Sequence, residues 1–255
     1  DPFQQEPAVR AFWIESLSWR VIMKRNSIVF SCVLVCLLTP TVMASPPDRA
    51  IFQHKSASPA EIDYSRYLNA NKLLGFVSNS GHVFYDAFQS FGKVDGLYYP
   101  YSSVDEILSG VNANTAVYAA GLWMGGIVGT DTLVALAEYG TEYTPGNMID
   151  TSFDPDYLNS KYRVYKLYAD SMLDWYPDYH FWPVDQGAPI DGSGNPLLTG
   201  KQTAWSVYND ANGARHANNA GSTAPLGIEV RQTAWATDVG ADAYTITVTS
   251  QLFNK

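Results

Sequence analysis

The chain has 255 residues, with 16 lysines and arginines against 25 aspartates and glutamates and a formal net charge of −9. That acidic balance argues against nucleic acid and anionic membranes as partners, since both would be repelled. The 2 cysteines, Cys32 and Cys36, both lie in an apolar N-terminal stretch, so the chain beyond residue 44 has no means of forming a disulfide, a thiolate nucleophile or a thiolate metal site.

Met23 is followed by Lys24 and Arg25, then by an apolar run over residues 28–38, a break at Thr39-Pro40, and Val42-Met43-Ala44. This is the three-part order of a secretory signal peptide, with cleavage expected between Ala44 and Ser45. The apolar run is about half of the ~20 residues a spanning helix needs, so no stable membrane span is expected after cleavage. Lipid attachment at Cys32 would leave a very short apolar core, and Cys36 follows a valine. A signal peptide works from the N-terminus, and "DPFQQEPAVRAFWIESLSWRVI" precedes it without a methionine. Residues 1–22 are therefore read as translated upstream sequence and set apart from the fold. The expected organisation is a signal peptide over 23–44, a leader with a short helix over 45–69, and a β-rich extracellular domain over 70–255, truncated at its C-terminal end. Beyond residue 44, 12 basic residues face 22 acidic ones, a balance of −10.

Ser58-Pro59-Ala60-Glu61 has the form of a helix start, with an N-cap serine, a proline at the first position and a glutamate three residues on. It predicts a helix to about Leu68. Ser103-Val104-Asp105-Glu106, closed by Gly110, predicts a second short helix. The stretches 116–129 and 132–140 read as strands joined by the turn "GTDT", and 162–168, 203–209 and 227–236 as further strands. In "AYTITVTSQLF" Tyr244, Ile246, Val248 and Leu252 share one face, with Thr245, Thr247, Thr249 and Gln251 on the other, which predicts a strand covered on one face. Pro145-Gly146, Asp191-Gly192 and Asn212-Gly213 mark turns. The fold class expected is mainly β: an antiparallel β-sandwich-like domain with long decorated loops and one or two short helices.

Residues 170–202, with four prolines and four glycines, form a connection longer than compact domains commonly carry. His180 stands there near Asp174, Asp178 and Asp185, the residue types that acid–base chemistry needs, but no HExxH or related spacing accompanies them. No catalytic residue is assigned. Flat aromatics in the same loop, Trp175, Tyr176 and Trp182, are candidates for stacking on sugar rings. Asp210 and Asn212 in "YNDANGARH" alternate before Gly213 in the manner of a calcium loop, although Tyr208 stands where a ligand is wanted and the closing glutamate is missing. Ca²⁺ is thus the one cofactor with any sequence support, and an ordinary Asx turn explains the same residues.

Five blocks, "VYAAGLWMGG" (117–126), "EYGTEYTPG" (138–146), "DWYPDYHFWPVDQGAP" (174–189), "KQTAWSVYNDAN" (201–212) and "PLGIEVRQTAWA" (225–236), occur in this order. Together they resemble the N-terminal β-rich region of large secreted bacterial surface proteins, a family of unknown function that often carries a C-terminal type IX secretion sorting domain. The resemblance implies export, a Gram-negative cell-surface or extracellular location, and membership of a multidomain chain; the sorting domain is not in this sequence. The expected function is a non-enzymatic extracellular module, structural or adhesive, with an extracellular polysaccharide or a surface protein as partner. A carbohydrate-binding module of a polysaccharide-degrading protein is the first alternative. A hydrolase domain using the 170–202 loop, with Asp174, His180 and Asp185, is the second.

Overall fold

The computed structural model describes residues 17–22, 65–85, 96–101, 103–109, 115–137, 140–170, 176–217 and 222–255. The stretches expected to be signal peptide and leader, up to residue 64, lie outside them, as do Asp174 and Trp175.

The chain is mainly β, and its described strands pair antiparallel. The main sheet runs in the order β1 (Leu17–Ile22), β16 (Thr245–Asn254), β15 (Ile228–Ala236) and β14 (Gln202–Asn209). β13 (Tyr165–Tyr168) and β10 (Thr144–Pro145) share the far edge of β14, end to end. β1 comes from the segment set apart by its position before Met23; its six residues pair with β16 from Leu17 opposite Ser250 to Ile22 opposite Thr245. The second sheet centres on β3 (Leu74–Ser78), with β2 (Ser65–Leu68) along one side. On its other side lie β4 (His82–Val83) and β5 (Leu97–Tyr98), extended by β7 (Ala120–Gly121) and β6 (Thr115–Val117) respectively.

The two sheets face each other. Ala204, Ala234, Ala236, Ile246 and Val248 of the main sheet form one core with Leu68, Leu73, Val77, Phe84 and Leu97 of the second. Register explains the set: Ala204 lies opposite Ala234, which lies opposite Val248, so one face of three strands carries small and branched apolar groups together. Gly75 stands in the filled space between the sheets. A Cβ there would meet Ile246 Cδ1 and Phe84 Cε1 at 2.8 Å.

A hairpin, β8 (Trp123–Val128) and β9 (Asp131–Leu136), closes one end of this core, and a shorter one, β11 (Met148–Ile149) and β12 (Ser152–Phe153), follows β10 in the chain. Met124 and Ala135 turn inward towards Tyr143, Tyr208 and Val230. Gly129 takes φ +63 at the first position of the two-residue turn, where a hairpin favours glycine. The Ser103 side chain accepts the Glu106 N–H at 3.1 Å and starts α1 (Val104–Leu108), as the capping box predicts.

Two local expectations give way to tertiary structure. Ser65–Leu68 is a strand, not the end of a helix. An extended backbone sends Leu68 into the core between the sheets and Tyr67 to the opposite side against Phe76, so both large groups are buried. β16 is covered on both faces over its first half: Thr245 and Thr247 are buried as well as Ile246 and Val248.

The side chains crowded around Gly75 leave no space for a larger residue. Gly75→Val should lower the unfolding free energy by about 1–3 kcal/mol, the usual cost of overpacking a filled core. Urea melts of the two proteins measure this, and an unchanged midpoint would mean that the sheets separate freely.

Candidate binding groove

From residue 176 on, the connection between β13 and β14 is a third layer, laid on the back of the main sheet. Tyr165, Leu167, Trp205 and Val207 point to this side and meet Trp182 and Ala188 from the connection. Trp182 packs edge-on to Tyr165 at 6.2 Å and donates its indole N–H to the Pro189 carbonyl at 2.8 Å. Pro177 stands at the start of α2 (Pro177–His180), where its missing N–H costs nothing.

Asp178 fastens this layer. One carboxylate oxygen accepts from Arg163 Nε at 3.2 Å and Nη2 at 2.9 Å, and the other accepts the Lys166 backbone N–H at 2.8 Å. Arg163 in turn lies over the Tyr165 ring at 3.9 Å. A 3₁₀ turn, Val184–Gln186, follows and ends at Gly187, with φ +95. The backbone passes directly over the Arg231 guanidinium there, leaving no room for a Cβ. Gln186 donates its amide N–H to the Lys161 carbonyl at 2.7 Å, while its buried Oε1 has no hydrogen-bond partner among the described residues.

Between the 159–165 segment and the 181–186 turn runs an open groove of about 350 Å³. Its walls carry Ser160, Lys161, Arg163, Phe181, Asp185 and Gln186, with Trp182 at its base. The cations are compensated: Lys161 pairs with Asp154 at 3.2 Å and Arg163 with Asp178 at 2.9 Å. Phe181 is 67 % exposed and offers its ring to solvent. The lining can therefore stack on an apolar face and exchange hydrogen bonds with a polar neutral ligand.

The sequence-derived candidates separate. Tyr176 is stacked on Tyr168 at 4.2 Å and donates to Asp170 at 3.0 Å, and Trp182 is 7 % exposed, so both serve mainly as packing. Phe181, which sequence reasoning passed over, holds the exposed aromatic position. Only its solvent-facing position just past the C-terminal end of α2 distinguishes it, and that required knowing which neighbour, Trp182, faces the sheet. His180 and Asp185 are exposed, and Asp178 beside them is committed to Arg163 and Lys166.

Asp210 and Asn212 do not form a calcium loop in this arrangement. Both oxygens of buried Asp210 accept backbone N–H groups, from Leu226 at 2.6 Å and Ile228 at 2.7 Å. Asn212 accepts the Ala214 N–H and caps a 3₁₀ turn, the Asx alternative. His216 Nε2 donates to the Asp210 carbonyl at 2.7 Å, with the Glu142 carboxylate 3.8 Å from its Nδ1. Burial raises the Asp210 carboxyl against the opposing pull of those amide bonds. Among the described residues no group of three or more His, Cys, Asp or Glu is placed to hold a metal ion, and no helix is long and apolar enough to cross a membrane.

At the groove's rim the Tyr162 hydroxyl donates to Asp154 at 2.6 Å. That hydrogen bond, with those of the Asp156 N–H and Lys161, holds the Asp154 carboxyl below its ordinary 3.8. Burial first, then the bond to Asp154, pushes the Tyr162 phenol up to about 12. A carboxyl lowered by folding stabilises above its unfolded value and loses that contribution as the pH falls through the folded one. A phenol raised by folding loses its contribution between the ordinary 10.0 and about 12. Tyr162→Phe should therefore be less stable than the parent at neutral pH. The gap should narrow in strong acid and again above pH 10.0 in thermal melts taken across the range. A gap independent of pH would show that the pair does not couple to titration.

Asp178→Ala should cost about 2–4 kcal/mol in chemical denaturation, because it strands a buried N–H and a guanidinium. An effect within ~0.5 kcal/mol, the range of an ordinary surface change, would remove Asp178 as the fastener.

No protein-family model, no curated protein and no solved structure matches this chain.

Proposed function

We propose that the chain is a non-enzymatic module of a larger exported bacterial protein, acting at the cell surface or outside the cell as a structural or adhesive element. The signal-peptide pattern of residues 23–44 and the ordered blocks that resemble secreted surface proteins support the location. The observation that carries the role is the layer over 176–197. Buried Asp178, Trp182, Gln186 and Ala188 fix it to the sheet, while Phe181, Val184, Ile190 and Leu197 remain exposed on its outer side. A long connection that is anchored on its inner side and apolar on its outer side is suited to presenting a contact surface. Adhesion by such a surface needs no reacting group.

The Phe181 groove favours a carbohydrate as what this surface touches. Its ion pairs are internally compensated, which disfavours a strongly charged ligand. An exposed ring beside Asp185 and Ser160 matches the apolar face and hydroxyl rim of a pyranose. The partner on this reading is an extracellular polysaccharide.

A glycan array spanning neutral and acidic oligosaccharides tests it. Binding to neutral glycans is expected, weakened at least about tenfold, roughly 1.4 kcal/mol, by Phe181→Ala and by Asp185→Asn. No binding, or binding that both variants retain, would overturn the carbohydrate reading. A catalytic turnover of any bound glycan would overturn the non-enzymatic one.

A further inference from the structure

β16 is ten residues long and reads TITVTSQLFN, without a charge, a proline or a glycine. Sheet edges left open in natural proteins are blunted by lysines, prolines, bulges or short length. β16 shows none of these, and its pairing with β15 is regular over nine residues from Ile228–Asn254 to Ala236–Ile246. Its outer edge is built like an interior strand.

In the structure that edge is filled over Thr245–Ser250 by β1. The filler is Leu17–Ile22, which lies ahead of the signal peptide and leaves with it when the chain is cut after Ala44. We propose that, once β1 is removed, the β16 edge pairs antiparallel with β16 of a second copy and joins the two main sheets across a two-fold axis. This rests on the signal-peptide reading for the removal of β1.

Two features of the strand favour a second copy as occupant. About a two-fold axis, antiparallel pairing brings residues of like parity together. The Thr245, Thr247, Thr249 face then meets its own kind, and so does the Ile246, Val248 face. The body beyond residue 44 carries a balance of −10, so like charge opposes association over most of its surface, whereas β16 brings no charge to the contact.

The test opens the edge within the full 255-residue chain. Two prolines, Trp19→Pro and Val21→Pro, prevent residues 17–22 from pairing as a strand. Sedimentation equilibrium should give a monomer for the parent and twice that mass for the double variant. Adding Thr249→Lys, which sets like charges against each other across the axis, should return the mass to that of the monomer. Hydrogen exchange should show residues 245–250 protected in the parent and in the dimer, and unprotected in the triple variant. A double variant that stays monomeric, a dimer indifferent to Thr249→Lys, or open-ended assembly would each overturn the proposal. If the double variant does not fold, the single Val21→Pro variant is read by the same masses. N-terminal sequencing of exported protein tests the signal reading separately, since a mature start upstream of Met23 would refute that reading and leave these masses unaffected.

Discussion

Everything in this molecule is arranged about β14, which is buried at all eight of its positions. A strand covered on both faces cannot leave a polar group unmatched without a cost of a few kcal/mol, yet half of β14 is polar. Each of those residues is bonded, and each bond fixes a neighbouring layer. Gln202 exchanges two hydrogen bonds with Asn69, and Ser206 donates to the Ser78 carbonyl, both towards the second sheet. Thr203 accepts from and donates to Thr199 on the back. Asn209 donates to the Gly146 carbonyl at the end of the strand and accepts the Ala211 N–H. The apolar residues supply the burial that drives collapse, and the polar ones specify how the layers meet.

The same logic governs the acidic residues. Glu229 is fully buried, bonded to the Met148 N–H at 2.9 Å and to Arg231 at 2.9 Å. Asp178, Asp210 and Asp154 likewise hold backbone N–H groups. With no cysteine beyond residue 36 to form a disulfide, carboxylate-to-amide bonds tie the loops to the sheets. They are strong because one partner is charged, and directional because the amides are fixed.

Period-two alternation made β16 legible, and β14 and β15 fall close to the strands expected over 203–209 and 227–236. It could not show that both faces of Thr245–Val248 are covered, since a threonine face looks the same whether it meets solvent or a third layer. The Ser58 capping signal is local, and the burial of Tyr67 and Leu68 on opposite sides is not, so Ser65–Leu68 ended as a strand. In the 176–189 stretch the aromatic composition pointed to the right segment and the wrong rings. Trp182 and Phe181 are chemically similar in a sequence, and only the sheet beneath them decides which one packs and which one faces out.

Trp182 and Trp205 lie 6.3 Å apart on the back of the main sheet, with Tyr165 within 6.5 Å of both. Trp123 stands apart on the β8–β9 hairpin, 56 % exposed. The fixed ring cluster is a chiral chromophore whose near-ultraviolet circular dichroism depends on the third layer being seated. The emission of Trp123 reports the solvent side of the hairpin. Detachment of the connection would therefore have an optical signature of its own, distinct from the unfolding of the two sheets.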